Sequence, residues 1–361
     1  GKAIRELMQE RKVIEDGKVS QGKGRAKKIL KVNPDLYYIL TVFYNGIQFT
    51  GGIVNLDKKL IYQCSSTAKK DNSAFVAEFI SFIKQVQKEA KINEKKVLGI
   101  GVSIPGSFDT KEGKVLGIRG KKQWKDVRLK EILREEFKKE VFLIDDTDVL
   151  ARVEYEARKE EGIKNLLYVY LGEGIGLGTI LNRKLYSGST GNAGEIGHLI
   201  VGGDGKRCYC GNYGCLETFS SVGSIIKDVK KGIQEGVHSV VEKIVDGDLN
   251  KINIEVIAQS IEEGDKLSRD VVEKSAEYIG KVSAILVNIF NPEILVFGGP
   301  LTKTGSILFS TIESCIMRES SPVSLRNIRI EFSMIGEDYL TTGISLPCLD
   351  NLKEERWENW Q

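Results

Sequence analysis

One structural phrase occurs twice in this chain. Val42 to Leu60 (VFYNGIQFTGGIVNLDKKL) and Val169 to Leu185 (VYLGEGIGLGTILNRKL) each read as a strand, a glycine turn, a second strand, an Asn, a basic turn and a Leu. A hairpin with apolar residues on both strands needs a covering layer, so each copy implies its own sheet with helices packed on it. Two copies predict two similar α/β lobes facing each other, with a ligand cleft between them. The flanking pattern agrees. Strand-like runs fall at Tyr38 to Tyr44, Gln48 to Asn55, Leu98 to Ile104, Val141 to Ile144, Leu166 to Leu171 and Ile294 to Phe297. They alternate with helix-like runs at Ser73 to Ala90, Leu129 to Lys139, Asp148 to Glu161, Ser221 to Gly232 and Ser268 to Phe290. A length of 361 residues suits two lobes and a smaller segment, because a single core stops growing near this size.

That smaller segment is the N-terminus. Up to Asp35 the chain holds ten basic and five acidic residues, so the body after it is slightly acidic although the whole chain is +3. Lys2 to Glu10 reads as the end of a helix, Val13 to Asp16 as a strand, Gly17 as a turn, and Lys18 to Lys31 as a basic ribbon ending before Asn33-Pro34. By charge alone a solvated linker accounts for this stretch better than a DNA-contacting wing does. No apolar run is long enough for a membrane span and the N-terminus carries no apolar leader, so a cytoplasmic protein without membrane partners is expected.

The sharpest chemical pattern is His198, Cys208, Cys210 and Cys215. Three thiolates and one imidazole make a closed tetrahedral set of the kind zinc prefers, and the glycines between them leave little apolar material to bury free thiols. Glu195 and Glu217 bracket the cluster. Carboxylates beside an imidazole suit bidentate bonds to the vicinal hydroxyls of a sugar, or they orient the metal ligands; the two roles are compatible. Asp145-Asp146 closes a strand just before a helix, where ligand-binding residues of α/β sheets collect, and it serves either as general base or as helix cap. Two glycine loops, Gly172, Gly174, Gly176 and Gly178 in one and Gly298 and Gly299 in the other, offer backbone amides to phosphate, although Glu173 would repel it.

Taken together, these segments resemble the ROK family of bacterial sugar kinases and sugar-responsive repressors, and among them most closely its xylose-repressor-like regulators. The motifs that carry the resemblance are IGVSIPGSFDTKEGKVL (Ile100 to Leu116), LIDDTDVLARVEYEA (Leu143 to Ala157), LGEGIGLGTILNRKLYSGSTGNAGEIGH (Leu171 to His198), CYCGNYGCLE (Cys208 to Glu217) and PEILVFGGP (Pro292 to Pro300). The resemblance implies an actin-like (ribonuclease H-like) two-lobed α/β fold with an N-terminal winged-helix remnant. It implies domains at 1–35, 36–145 and 146–361, the last helix returning to the first lobe. It further implies structural zinc on His198, Cys208, Cys210 and Cys215, and a sugar or sugar-phosphate effector held by Asp145, Asp146, Glu195, His198 and Glu217. A homodimer or homotetramer is the implied assembly.

Under the same resemblance, residues 2–35 read as the last helix and wing of a winged helix, which reverses the linker reading. Arg25 would enter a minor groove while Lys23, Lys27 and Lys28 neutralise phosphates of operator DNA, and the sequence starts inside what would be the final helix of the helix-turn-helix. An ATP-dependent sugar kinase, of glucokinase or N-acetylhexosamine kinase type with Mg2+ and Asp146 as general base, is the alternative. Three departures oppose it. Phe43 stands where the family's first loop carries Asp, Glu173 where the second carries Thr, and Pro300 where the third carries a further Gly. Gly120, in IRGKKQW, and Asp145 replace two Asn residues of the sugar pocket. The expectation is therefore a repressor that senses a sugar without phosphorylating it.

Overall fold

The computed structural model describes residues 2–19, 27–69, 75–109, 112–117, 126–203, 205–335 and 339–358. Lys23, Arg25 and the IRGKKQW stretch with Gly120 lie outside the described residues. The chain divides into two compact units, Gly1–Asp146 with Leu340–Gln361, and Thr147–Tyr339. The N-terminal segment groups with the first unit.

The first unit opens with helix α1 (Lys2–Gln9), then strands β1 (Val13–Val19) and β2 (Lys27–Val32) in an antiparallel hairpin. Asn33 closes this module at its base. Its amide donates to the Lys12 carbonyl at 2.9 Å and its side chain to the Arg11 carbonyl at 2.8 Å, while its Oδ1 accepts from the Asp35 amide and starts a 3-10 turn over Pro34–Leu36. Next come β3 (Tyr38–Tyr44), β4 (Gln48–Asn55), β5 (Leu60–Thr67), α2 (Phe75–Ala90) and β6 (Val97–Ser103). After a small hairpin of β7 (Ser107–Asp109) and β8 (Lys114–Gly117), the chain continues as α3 (Leu129–Phe137) and β9 (Glu140–Leu143), and α4 (Asp146–Ala157) leads into the second unit. The sheet runs β5-β4-β3-β6-β9, with antiparallel pairing at β3, β4 and β5 and parallel pairing from β3 through β6 to β9.

Helix α2 covers one face because Phe75, Phe79, Phe82, Ile83 and Val86 recur at helical spacing. Phe49 of β4 stacks on Phe82 with ring centroids 5.4 Å apart and meets Phe79 edge-on at 5.6 Å, so the aromatic contacts set how the helix lies.

The second unit repeats the plan. Strands β10 (Leu166–Leu171), β11 (Ile175–Leu181) and β12 (Lys184–Leu185) form an antiparallel meander, succeeded by helices α5 (Leu216–Ser220), α6 (Val222–Gln234), α7 (Val241–Ile244), α8 (Ile254–Glu262) and the long α9 (Lys266–Phe290). Strand β13 (Ile294–Gly298), helix α10 (Ser306–Glu319) and strand β14 (Arg329–Phe332) complete the sheet in the order β12-β11-β10-β13-β14, with β10, β13 and β14 parallel. This is the strand order and sense of the first sheet, so the repeated hairpin marks two copies of one α/β plan, as an actin-like fold requires. Asp265 caps α9 by accepting from the Ser268 amide at 2.8 Å, and Asn291 ends it in the left-handed region at φ 43°.

The chain then returns to the first unit as α11 (Leu340–Gly343) and α12 (Ser345–Glu358). Adjacent strand residues report the two faces of the first sheet. A Cβ on Gly51 would stand 2.5 Å from Val86 of α2, whereas one on Gly52 would strike the Thr341 methyl of α11. On the face covered by the C-terminal segment, a Cβ on Gly101 would lie 2.5 Å from Ile344 Cγ2 and 2.8 Å from Cys348 Sγ. Among the described residues no helix is long and apolar enough to cross a membrane.

The Gly101 contact generates a prediction. Gly101→Val should destabilise the first unit by about 1–3 kcal/mol through overpacking against Ile344 and Cys348, read as a lowered urea midpoint at unchanged slope. A wild-type midpoint would mean that the C-terminal segment does not pack there.

Candidate functional site

The four predicted metal ligands come together on the loop between β12 and α5. Backbone pairing shapes that loop: Val201 donates to the Gly214 carbonyl at 2.9 Å, Leu216 to Leu199 at 2.8 Å and Cys208 to Asn212 at 2.8 Å. His198 ends a 3-10 turn over Ile196–His198, and Cys215 immediately precedes α5. The ligand atoms of His198, Cys208, Cys210 and Cys215 lie within 4.8 Å of one another.

The shape of this cluster can be tested against an ion. A tetrahedral site with metal–sulfur bonds of ~2.3 Å and metal–nitrogen bonds of ~2.0 Å has edges of roughly 3.8 Å between sulfurs and 3.5 Å between sulfur and nitrogen. The observed Cys210 Sγ to Cys215 Sγ distance is 3.7 Å, and Cys208 Sγ to His198 Nδ1 is 3.5 Å. The residues therefore fit a four-coordinate divalent ion. Burial pushes the Cys215 thiol up to about 12 and raises Cys208 as well, whereas the backbone amide of Asn212 lowers Cys210. A cation is what would turn the two buried thiols into thiolates at neutral pH.

With Nδ1 on the sulfur side, His198 presents Nε2 outward, 3.0 Å from the Tyr209 hydroxyl and 3.8 Å from a Glu195 carboxylate oxygen. Glu195 is half exposed, its side chain 49% accessible, while Glu217, in the first turn of α5, is buried. Glu217 Oε2 lies 3.4 Å from where a Gly174 Cβ would be, so it faces the β10–β11 turn. Glu195, His198 and Glu217 thus all belong to the second unit. Asp145 and Asp146 belong to the first, where they come after β9 at the carboxyl end of the sheet and Asp146 opens α4; both are half-buried.

The glycines of the two loops lie in the β10–β11 hairpin and at the end of β13. Gly176 and Gly178 are residues of strand β11, where a Cβ on Gly176 would come 2.7 Å from Thr147 Oγ1 and one on Gly178 would strike Ala151; they let α4 lie close on the sheet. The turn itself is closed by Gly172 donating to the Gly174 carbonyl at 3.0 Å, and the Val222 amide at the start of α6 donates to the Gly172 carbonyl. The Glu173 carboxylate reaches the same helix end, 2.9 Å from where a Gly223 Cβ would stand. In the third loop Gly299 is succeeded by Pro300, which has no amide proton, and the Gly299 carbonyl accepts from both the amide and the hydroxyl of Thr302. In the first unit the β3–β4 turn is satisfied locally. Asn45 Oδ1 accepts from the amides of Ile47 at 3.0 Å and Gln48 at 2.8 Å, and the Tyr44 hydroxyl donates to the Gly46 carbonyl.

On the hairpin, Lys28 pairs with Glu15, and Lys31 with Asp16 at 2.9 Å and Asp57 at 3.4 Å. Sequence reasoning missed Tyr209 as the partner of His198; its signal was only its place between two ligands. It also missed Asn45 as a turn cap, which the Asn-Gly pair would have indicated.

The ROK family model matches residues 45–328. The xylose repressor of Caldicellulosiruptor bescii is 29% identical over 341 residues, covering 94% of this chain and 84% of that one. A solved ROK family transcriptional regulator, described as a homologue of the Escherichia coli Mlc protein, has a TM-score of 0.80 at 26% identity, covering 96% of this chain and 86% of that one. A ROK family glucokinase from Streptomyces griseus, solved with glucose and AMPPNP, has a TM-score of 0.72 at 21% identity, covering 85% of this chain and 97% of that one, a likeness of fold.

Metal content checks the cluster. The purified protein should carry one divalent ion per chain by mass spectrometry, Cys215→Ser should abolish it, and Tyr209→Phe should weaken it roughly tenfold or more by releasing the outer nitrogen of His198. Retention of the ion by Cys215→Ser would remove Cys215 from the ligand set.

Proposed function

The chain belongs to the ROK family, and we propose that within it this protein is a sugar-responsive transcriptional repressor rather than a sugar kinase. The carrying observation is the α1–β1–β2 module placed ahead of the first sheet. A likeness to a transcriptional regulator over 96% of the chain leaves too little out to omit that hairpin, whereas the glucokinase likeness extends over 85%. In this reading α1 and the hairpin form the last helix and wing of a winged helix, with Lys23, Arg25, Lys27 and Lys28 toward operator DNA.

The ion at His198, Cys208, Cys210 and Cys215 is assigned as zinc, the preferred partner of three thiolates and an imidazole. Its role is structural: it supplies closure of a glycine-rich loop that has few apolar residues of its own. With Nδ1 committed to the metal side, His198 keeps its proton on Nε2 and directs it outward, beside the Tyr209 hydroxyl and the Glu195 carboxylate, while Glu217 faces the β10–β11 turn. Two acceptors and one donor, on this loop and on the first turn of α5, suit sugar hydroxyls. Asp146 is proposed to accept from the hydroxyl that a kinase would activate, with Asp145 beside it.

The state of the three loops supports the loss of phosphoryl transfer. That chemistry depends almost wholly on amide donors, a metal-binding carboxylate and neutralised charge around the phosphates. Here Asn45 already takes up the first loop's amides, Glu173 adds a negative charge at the second, and Pro300 lacks a donor at the third.

Two measurements test this reading. Calorimetry with a monosaccharide panel should find a ligand whose affinity falls roughly ten- to a hundredfold in Glu217→Gln, the loss of a charged hydrogen bond of about 1.5–3 kcal/mol. A coupled assay with the same sugars and ATP should give no turnover. ATP-dependent phosphorylation at an ordinary rate, abolished by Asp146→Asn, would make the protein a kinase.

A further inference from the structure

The carboxyl ends of β3, β6 and β9 lead toward Asp145 and Asp146, but their amino ends carry a feature that the sugar-sensing reading does not use. A groove of about 590 Å³ lies there, lined by Tyr37, Val97, Leu98 and Glu140 at the strand starts. Its remaining walls are cationic: Lys95 from the 3-10 turn Glu94–Lys96, Arg134 from α3, and Lys138 and Lys139 just after that helix. Glu140, the one carboxylate, is held by Arg134 at 2.8 Å. Among the described residues Lys95, Lys138 and Lys139 enter no ion pair, so the groove keeps an uncompensated positive charge.

Its position in the fold says what that charge is for. Tyr37, on the groove wall, comes after β2 with only the 3-10 turn Pro34–Leu36 between. The turn is fixed at both ends, by Asn33 to Arg11 and Lys12, and by Lys96 Nζ donating to the Asp35 carbonyl at 3.2 Å. The chain from Val32 to Tyr37 spans at most ~18 Å even if fully extended. One helical turn of DNA is ~34 Å long. The hairpin base thus lies within ~18 Å of Tyr37 on the groove wall, and a duplex of two or three turns held by the module is long enough to reach it. The lining offers little aromatic or apolar surface for a base or a small organic ligand. Lysines are point charges suited to phosphate contacts that carry no sequence information.

We propose that this groove is a second DNA-contacting surface, which takes two or three backbone phosphates flanking the site read by the winged helix. The proposal rests on the DNA-binding reading above and extends it to a face of the actin-like unit itself. The groove and Asp145-Asp146 then occupy opposite ends of the same parallel strands, with phosphate at one end and effector at the other.

The test is the salt dependence of binding of the whole chain to a fluorescent duplex of about 30 base pairs, monitored by anisotropy across a sodium chloride series. Each phosphate neutralised contributes roughly 0.9 to the slope of log affinity against log salt. The triple variant Lys95→Gln, Lys138→Asn, Lys139→Gln should reduce that slope by about 2 to 3 and weaken binding equally on unrelated sequences, with melting temperature and metal content unchanged. Lys27→Gln with Lys28→Gln serves as the comparison on the hairpin. An unchanged slope in the triple variant, with loss in the hairpin variant, would overturn the groove alone and leave the repressor reading intact. Absence of any duplex binding by the parent protein would overturn both.

Discussion

A five-stranded sheet has two faces, and the first unit has only enough sequence before residue 146 to cover one of them well. Helix α2 supplies the aromatic layer on the Gly51 side, while the opposite face receives Thr341, Ile344 and Cys348 from the far end of the chain. The rest of the architecture is set by this need. Thr147–Tyr339 forms a unit inserted between two parts of the first, and Asp146 stands at the point of exit. In the second unit the corresponding constraint is met locally, since Gly176 and Gly178 remove the side chains that would hold α4 away from β11.

Hydrogen-bond accounting separates what the fold can do from what this chain does with it. A turn of exposed amides is an anion site only while those amides lack partners. Asn45 satisfies two of them from within its own turn, and the Gly172–Gly174 bond closes another. Such changes need no rearrangement of either sheet, so on the proposed reading a catalytic fold would become a sensor through side chains that cost little elsewhere. The thiol cluster obeys the opposite logic: Cys208 and Cys215 are buried, and an ion from outside the polypeptide would complete their chemistry.

What was legible in the sequence was periodic or compositionally rare. The repeated hairpin gave the two sheets, three cysteines near one histidine gave the four side chains that the fold brings within 4.8 Å, and α9 is long enough to declare itself. Strand β5 escaped because its residues alternate between half-buried and exposed, with Gln63, Ser65 and Thr67 breaking the apolar signal. Helix α12 was expected only through the family resemblance, because Pro347 and its scattered charges show no apolar stripe, although Leu346, Cys348, Leu349 and Leu352 are buried. Helix α4 begins at Asp146 rather than at the expected Asp148, since aspartates suit the first turn of a helix as well as its cap. The basic groove was illegible in principle: Lys95, Lys138 and Lys139 are brought together only by the parallel starts of β6 and β9.

The return of α11 and α12 to the first sheet has a consequence in time. A chain is made from its N-terminus, and domains ordinarily close in that order. Here the second unit has all its strands and helices once residue 339 is made, while the first still lacks the layer carrying Ile344 and Cys348. The half of the protein that bears the helix–hairpin module is therefore the last to become stable. A nascent or C-terminally clipped chain would carry an intact thiol loop in its second unit while one face of its first sheet stayed bare.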